Sequence, residues 1–539
     1  MQGGQAVRST MTDARSNTPV RPAGTGRERR VKASRLRAEV LGAIGLVALL
    51  VLAYVAKAWA GLHNDLVRAA FRYADNQFSE APLFVQLARM GSGGRAYTPT
   101  HDVASYVYGP VYLSLMNALH GGQLPDVVAL RSLGIAIGVL AAVPLALTSV
   151  VLAWRAGVRR RALLPNAVAA VAGFTLGVAV LSRANTFDTL HPDNLLFALA
   201  ALSLAIFYAV AARLLPGAVA LLLVPIGVLS AFTEQQTLFV APVLLVGLAA
   251  LRRLSLPMAI AAVAATFGGA GLWWAAMPKD ARAWVFQVPL AQPYFASFEH
   301  VRDGLAFLMR WQPYLGLGFI AAGLQIALTR ARERGRYTWL WNDLLPMLAI
   351  VVTAFAGYLR AFGFTNSLCL IAVAVVPYLA ALLATLVEPL LIARRSKVVF
   401  YGSLLLAIAV AVSLGVPPKQ EADEKIVTEM SAVDEAAHEL CARGKTIEVM
   451  AFPDLFADCP AAKPALAVSF QQLTAAFPRY FVGPTVYDGP IDAGYVVTVS
   501  SLLPPGYWTG LYRLEKSMPA VIGFDQNYFP VKFLVYRRK

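Results

Sequence analysis

Charged residues are scarce in this chain. Only 14% of its 539 residues are Asp, Glu, Lys or Arg, whereas 58% are hydrophobic. Soluble globular domains carry about 25% charged residues, so this composition excludes an ordinary soluble protein. Together with a mean hydropathy of +0.58, it indicates a polytopic membrane protein and leaves no room for a nucleic-acid partner.

Cysteines are also few, and the sequence has no CxxC or Cys/His spacing typical of a zinc site. Cys369 falls in a strongly apolar segment, while Cys441 and Cys459 both fall near the C-terminus. In an oxidising compartment such a pair forms a disulfide. The alternative is two separate buried thiols. The segment from 417 onward also lacks the spacing of a phosphate-binding loop or a catalytic triad.

Long apolar runs dominate what is present. Because a helix needs about 20 residues to cross the hydrocarbon of a bilayer, these runs predict about 11 transmembrane helices. The predicted spans lie near 40–60, 131–154, 164–182, 195–212, 214–232, 237–251, 256–277, 304–326, 341–361, 367–391 and 398–416.

Positive charge sets the predicted orientation of these helices. The chain has a net charge of +16, and its basic residues form short clusters such as Arg159–Arg161, Arg252–Arg253 and Arg330–Arg336. Such clusters mark cytoplasmic loops. The N-terminus is then cytoplasmic, and the 61–130 loop and the segment from 417 onward lie outside the cytoplasmic membrane of a bacterium. We interpret the first span as an uncleaved anchor rather than a signal peptide, because its apolar stretch is longer than the hydrophobic region of a normal signal peptide.

Three regions follow from these patterns. Residues 1–39 are predicted to form a disordered basic cytoplasmic tail, residues 40–416 a transmembrane domain, and residues 417–539 a small soluble α/β domain. Within the last region, an amphipathic helix is predicted over 421–445, followed by strands over 446–452, 495–500 and 533–538. In the outer loop, helices lying at the membrane surface are predicted over 66–90, ending at the glycines of 91–94, and over 107–119.

Four polar patches fall on the predicted outer side, as a single cavity would require. They are Asp65, Asp75 and Glu80 in the first loop, Arg183, Asp188, His191 and Asp193 after the third span, Glu234, Gln235 and Gln236 after the fifth, and Arg360 after the ninth. Ionisable groups at membrane depth are functional candidates, because burying charge there is costly. For Asp65 and Asp188 we favour the alternative, a solvated loop end. For Asp193 the alternative is a cap of the following helix.

The order of several short motifs resembles the GT-C fold glycosyltransferases, a superfamily that includes protein mannosyltransferases and aminoarabinose transferases. The matching residues are Glu80 at the acidic position, Phe84, Ala88-Arg89, Tyr97, Tyr108-Gly109-Pro110 in place of Tyr-Pro-Pro, His191-Pro192-Asp193-Asn194-Leu195, and Phe232-Thr233-Glu234-Gln235-Gln236-Thr237. The match covers roughly residues 40–260. It departs from the family at Ser79, where a second carboxylate is usual, and at Glu234-Gln235, where Lys is usual.

This resemblance implies an enzyme that transfers a sugar from a polyprenyl-phosphate donor to a glycan, lipid or protein acceptor, with inversion at the anomeric carbon. Glu80 is the predicted general base, since a carboxylate in hydrogen-bond reach can take the proton of the acceptor hydroxyl. Asp75, Tyr108, Asp193, Glu234 and Gln235 are predicted to line the substrate site, although Tyr108 also fits an interfacial aromatic residue.

The leaving lipid phosphate needs positive charge, for which Arg183, His191 and Arg360 are the predicted cations. The cofactor is left open. A divalent metal such as Mg²⁺ or Mn²⁺ would take Glu80 and Asp193 as ligands. The competing function is a transporter or flippase of lipid-linked saccharides, which should place ionisable residues or broken helices near the bilayer midplane, often in two related halves. The sequence shows no such halves.

Overall fold

The computed structural model describes most of the membrane domain and much of the C-terminal region. The described residues are 60–73, 80–97, 109–121, 126–182, 187–287, 298–311, 313–330, 337–359, 366–392, 422–464, 493–500, 510–524 and 527–539.

In the described residues of the loop after the first predicted span there are three helices: α1 (residues 60–69), α2 (Glu80–Gly91) and α3 (Pro110–Leu119). The predicted continuous helix over 66–90 is therefore wrong. Helix α1 ends in a turn at Ala70, and α2 starts only at Glu80. Helix α2 is also largely buried by other parts of the chain. It contacts α3 and a short turn of the C-terminal region, Pro453–Phe456.

Helices make up the membrane domain. In chain order they are α4 (Val127–Arg155), α5 (Leu163–Leu181), α6 (Asp193–Ala211), α7 (Gly217–Ala231), α8 (Gln235–Ala250), α9 (Leu256–Ala276), α10 (Lys279–Arg282), α11 (Phe298–Trp311), α12 (Pro313–Arg330), α13 (Leu340–Tyr358), α14 (Asn366–Cys369) and α15 (Ile371–Ile392).

Among the described residues, six stretches are long and apolar enough to cross a membrane: α4, α5, α6, α9, α13 and Ser367–Val387. The chain is thus an integral membrane protein, as its composition predicted. Helices α7 and α8 are apolar but shorter. The predicted span over 398–416 and nearly all of that over 40–60 lie outside the described residues, and the total of 11 stays a prediction.

Helix α4 contacts α5, α6 and α15. Glycines allow these close approaches, as is usual in membrane helix packing. A Cβ at Gly173 of α5 would overlap Ser149 of α4, and one at Gly138 of α4 would overlap the ring of Phe187. The segment that leads into α6 is therefore held directly against the first turns of α4.

The C-terminal region forms a helix packed on a mixed sheet, so the predicted α/β class is correct. Helix α16 (Glu424–Ala442) begins at Asp423, whose carboxylate accepts a hydrogen bond from the Ile426 amide at 2.8 Å. Such capping satisfies an amide that has no partner within the helix. Its buried side chains recur every three or four residues and pack on the sheet. They are Ile426, Met430, Val433, Ala437 and Leu440.

The sheet has five strands in the order β2-β1-β3-β5-β4. The strands are β1 (Ile447–Val449), β2 (Ala462–Pro464), β3 (Tyr495–Val499), β4 (Tyr512–Phe524) and β5 (Asn527–Arg538). Strand β1 is parallel to β2 and β3, whereas β5 is antiparallel to β3 and β4. Strand β3 falls where it was predicted, β1 is shorter than the predicted 446–452, and the prediction over 533–538 covers only the second half of β5. Strands β2 and β4 were missed.

A disulfide joins Cys441 at the end of α16 to Cys459 after β1, with the two Cα atoms 5.7 Å apart. Two side chains of the outer loop also enter this core, Phe71 and Tyr73. Phe71 stacks edge-on against Tyr528 of β5, with ring centroids 5.8 Å apart, and the Tyr73 hydroxyl donates to Ser431 of α16 at 3.2 Å. The loop is therefore anchored on the C-terminal domain.

Candidate active site at the loop end of the membrane helices

Glu80, the predicted base, is the first residue of α2 and is completely buried, so it is not a solvent-exposed carboxylate on a helix surface. Its two oxygens face the guanidinium of Arg131, in the second turn of α4. Arg131 Nε lies 2.6 Å from Oε1, and Nη2 lies 2.6 Å from Oε2. This two-pronged geometry makes the strongest type of ion pair available to a carboxylate.

Arg131 also fixes the backbone of the outer loop. Its Nη2 donates to the carbonyl of Tyr73 at 2.6 Å, and its Nη1 donates to the carbonyl of Phe71. One buried arginine thus connects α4, α2 and the turn after α1. The sequence prediction missed this residue. The signal was present, since Arg131 is a charge within an apolar segment, which is costly unless it is paired.

The second polar patch meets the first directly. The backbone amide of Leu190 donates to Glu80 Oε1 at 2.7 Å, across a separation of 110 residues. The Asn194 amide group holds this segment in place by donating to the carbonyls of Gly134 and Phe187, each at 2.9 Å. The segment 187–194 is therefore built onto the start of α4 beside Glu80.

Asp188 and Asp65 are buried, with 1% and 2% exposure, so the prediction of solvated loop ends is wrong for both. The reason for Asp188 is an arginine that the sequence did not single out. Arg68 of α1 places Nε 2.8 Å from Asp188 Oδ2, and both side chains are shielded from solvent. A buried ion pair tolerates the loss of water only because each charge has a partner.

His191 and Asp193 form a third pair, with Nδ1 3.0 Å from Oδ2. Pro192, not Asp193, is the cap residue of α6, and Asp193 occupies the first turn. Tyr112 of α3 adjoins this pair. Burial raises the pKa of the Tyr112 phenol, and the carboxylates of Glu80 and Asp193 raise it further. The charged residues of the three pairs described above form what we call the loop-end cluster. They are Arg68, Glu80, Arg131, Asp188, His191 and Asp193.

The third patch adjoins α3 through the backbone. The amides of Gly109 and Val111 donate to the carbonyls of Thr233 and Phe232, at 3.4 and 3.3 Å. Only glycine permits this approach, because a Cβ at Gly109 would overlap the Phe232 carbonyl oxygen. In the Tyr-Pro-Pro motif of the resemblance this position is the first proline. The glycine found here leaves room for the Phe232 carbonyl.

Glu234 contacts a neighbour within its own patch, and Gln235 contacts the segment after α10. Glu234 Oε2 accepts from Gln236 at 2.5 Å, and Gln235 Nε2 donates to the Val285 carbonyl at 2.7 Å. A Cβ at Gly357 would press on Gln236 and on Ser367, so this patch also reaches the ends of α13 and α14. The four remaining predicted site residues, Asp75, Tyr108, Arg183 and Arg360, lie outside the described residues.

Known proteins resemble the chain in structure but not in sequence. No family model and no curated protein sequence matches the chain. Solved structures do. The chain aligns with ArnT from Cupriavidus metallidurans bound to undecaprenyl phosphate, at 14% identity and a TM-score of 0.46, covering 90% of this chain and 98% of ArnT.

It also aligns with the Archaeoglobus fulgidus oligosaccharyltransferase in complex with zinc and sulfate, at 12% identity and a TM-score of 0.43, over 84% of this chain and 67% of that protein. The apo form of the same enzyme gives 11% identity and a TM-score of 0.44, over 85% and 69%. At these TM-scores the likeness does not by itself establish a common function.

The described residues do not offer a ready metal site. No group of three or more His, Cys, Asp or Glu side chains among them is arranged to hold a metal ion. Glu80, one of the two predicted ligands, directs both oxygens at the cationic Arg131, which is a poor arrangement for a metal cation. A divalent metal therefore stays a prediction.

Proposed function

We propose that this protein is an integral membrane glycosyltransferase that moves a sugar from a polyprenyl-phosphate donor to a glycan, lipid or protein acceptor. The reaction would take place at the loop end of the bundle, on the extracytoplasmic side of a bacterial cytoplasmic membrane. The loop-end cluster is the proposed active site.

One observation carries the proposal: two motifs of the resemblance, Glu80 and the segment around His191, touch each other through the Leu190 amide. They are far apart in sequence and surrounded by buried charge. Keeping Arg68, Asp188 and Asp193 out of water costs free energy that an apolar core would not. A catalytic role for these charges would account for that cost.

In the proposed reaction, the acceptor hydroxyl oxygen forms a bond to the anomeric carbon while the bond from that carbon to the phosphate oxygen breaks. The electron pair leaves with the lipid phosphate, and the hydroxyl proton goes to a carboxylate. Glu80 is the proposed base. Displacement in a single step inverts the anomeric carbon.

The departing phosphate requires a cation. Arg131 donates to four acceptors, two on Glu80 and two on the loop backbone, so we assign it to holding Glu80 in place. His191, beside Asp193, and the predicted cations Arg183 and Arg360 are proposed to meet the phosphate.

The first test is a direct assay. Purified protein in detergent is given undecaprenyl-phosphate-linked hexoses and pentoses, with a membrane extract as the source of acceptors, and released undecaprenyl phosphate is measured with and without EDTA. At least one donor should be cleaved. If lipid-linked sugar crosses proteoliposomes intact, without release of the phosphate, the transporter alternative is correct instead.

The second test separates two roles for Glu80, base and anchor of Arg131. Glu80→Gln alone leaves Arg131 without its counter-charge and damages both roles. The double variant Glu80→Gln/Arg131→Gln removes both charges and keeps two amide groups that can hydrogen-bond. If Glu80 is the base, the double variant regains the stability lost in the single variant but stays inactive, at least 100-fold below wild type. Recovery of activity would show that Glu80 serves only as an anchor.

A further inference from the structure

One of the contacts between the C-terminal domain and the proposed active site is made by the aromatic ring of Tyr528. The guanidinium of Arg68 lies over the ring of Tyr528, with its central carbon 5.3 Å from the centroid. The same guanidinium pairs with Asp188 at 2.8 Å. Arg68 is thus held between β5 of the C-terminal domain and the segment beside Glu80, and its exposure is only 4%. A cation over an aromatic face is bound more tightly when water is excluded.

The neighbouring contacts reinforce this connection. Phe71 packs against Tyr528, and Tyr73 reaches Ser431 of the same domain. The carbonyls of Phe71 and Tyr73 are the ones that Arg131 binds, and Arg131 in turn holds Glu80. Two routes therefore lead from the C-terminal core to the cluster, one through Arg68 and one through Arg131.

We infer that the C-terminal domain positions the active site, with Tyr528 as the positioning residue that fixes Arg68 and, through it, Asp188. Tyr528 does not touch the reacting groups. It restricts Arg68 to the orientation in which the Nε atom faces Asp188, and so it orders the segment 187–193. The kinetic part of this inference rests on the proposed function, but the ordering part does not.

Hydrogen exchange of the backbone amides in 187–193, followed by mass spectrometry on the full-length protein, tests the ordering directly. Tyr528→Leu keeps an apolar side chain but removes the aromatic face. We expect exchange in 187–193 to become at least tenfold faster, whereas Tyr528→Phe, which keeps the ring, should change it by less than twofold. The matched control is Phe529→Leu, since Phe529 is the next residue of β5 and is 47% exposed.

A second variant guards against damage to the C-terminal domain itself. Arg68→Met breaks the same contact from the side of α1 and leaves the Tyr528 ring in place. It should also speed exchange in 187–193, while amides 430–440 of α16 exchange as in wild type. Unchanged exchange in 187–193 for both Tyr528→Leu and Arg68→Met would overturn the inference.

Kinetics then distinguish positioning from a general structural role. Tyr528→Leu should lower kcat for sugar transfer about tenfold with little change in donor KM. In the Asp188→Asn background, adding Tyr528→Leu should lower kcat less than twofold further, because the route is already broken. If the kcat losses of Asp188→Asn and Tyr528→Leu multiply in the double variant, Tyr528 does not act through Asp188. If wild type cleaves no donor, the proposed function fails, and the exchange result still decides whether Tyr528 orders the segment.

Discussion

The two ends of α4 each carry an arginine paired with a carboxylate. Arg131 is fully buried and Arg155 is partly buried, and their partners differ in kind. At the loop end, Arg131 binds Glu80 and the backbone of a loop. At the opposite end, Arg155 binds Asp343 in the first turn of α13, with its Nη1 and Nη2 atoms 2.8 and 3.0 Å from the two carboxylate oxygens.

The pair at the opposite end belongs to a network between membrane helices. The Tyr378 hydroxyl of α15 donates to Asp343 Oδ1 at 3.1 Å, and it lies 2.7 Å from the hydroxyl of Tyr208 on α6. Four helices meet there. The Arg155 pair thus acts as a brace between spans, whereas the Arg131 pair organises a loop around a candidate base.

The spacing of the two arginines bears on function. They are separated by 24 residues of one helix, or about 36 Å at the usual helical rise of about 1.5 Å per residue. This exceeds the thickness of the hydrocarbon, about 30 Å. A helix of this length can hold both arginines at the membrane surfaces, away from the midplane where a transporter would place its ionisable residues. The spacing is therefore compatible with the proposed enzyme.

Removing one charge at the opposite end should have the largest effect on stability. Asp343→Asn leaves Arg155 without its counter-charge among packed helices, which we expect to cost about 3 kcal/mol of unfolding free energy. Activity per folded molecule should stay within about twofold, because the pair is far from the loop-end cluster. Thermal unfolding in detergent, together with the donor-cleavage assay, measures both quantities.

The exposed pair of Arg302 and Asp303 supplies the control for that experiment. Its side chains are more than 60% exposed, so Asp303→Asn should hardly change stability. In Asp343→Asn, total activity should fall only as far as the amount of folded protein falls. A further loss of activity per folded molecule would mean that the two ends of α4 are functionally coupled.

Replacing each arginine by lysine should separate the two ends further. Arg131→Lys keeps the charge but cannot serve two carboxylate oxygens and two carbonyls at once. Displacing a catalytic carboxylate by about 1 Å costs on the order of 100-fold in rate, or about 2.7 kcal/mol. Arg155→Lys should leave kcat within about threefold. Equal kcat losses in the two variants would contradict the assignment of Arg131 to the loop around Glu80 and of Arg155 to the packing of membrane helices.

A third carboxylate can be compared with the two arginine-bound carboxylates, because it faces a lysine instead of an arginine. Glu448 of β1 pairs in register with Lys463 of β2. Burial raises the pKa of Glu448 to about 7, and Lys463 only partly opposes this rise. In the unfolded chain the pKa returns to about 4.3. The native state therefore holds a proton that the unfolded state releases, and the stabilisation present at low pH is lost as pH rises through 7.

Glu448→Gln mimics the protonated form at every pH. Relative to wild type, the variant should gain stability as pH rises from 5 to 8, by about 2 kcal/mol at most, since Glu448 is partly exposed and lies near Lys463. Thermal unfolding of the full-length protein across this range measures the effect. A stability difference that does not change between pH 5 and pH 8 would show that Glu448 is ionised throughout.

Much of the architecture could be predicted because it depends on local patterns. Apolar length predicted α4, α5 and α6 within a few residues, and alternating residues predicted β1, β3 and β5. The weak points were also local. Strand β4 contains Pro519 and several polar residues, and β2 has only three residues. The break between α1 and α2 was missed because Leu66 to Met90 has helical periodicity throughout.

The candidate site could be predicted only in part. Glu80 and Asp193 were identified from the motifs of the family resemblance, whereas Arg68 and Arg131 were not identified. Nothing local to Arg131 indicates that Glu80, 51 residues earlier, is its partner. That pairing depends on how α2 is placed against α4, which is set by contacts from α3 and the C-terminal domain.

Composition and local pattern are enough to predict a membrane protein, its apolar segments, and the places where positive charge and carboxylates gather, since each of these depends on a short stretch of chain. Which charges meet depends on how distant elements pack. The tertiary structure joins Glu80 to Arg131, Asp188 to Arg68, and Arg68 to Tyr528. The physical reason is that a buried charge must find its partner wherever the packing of distant helices and strands places one.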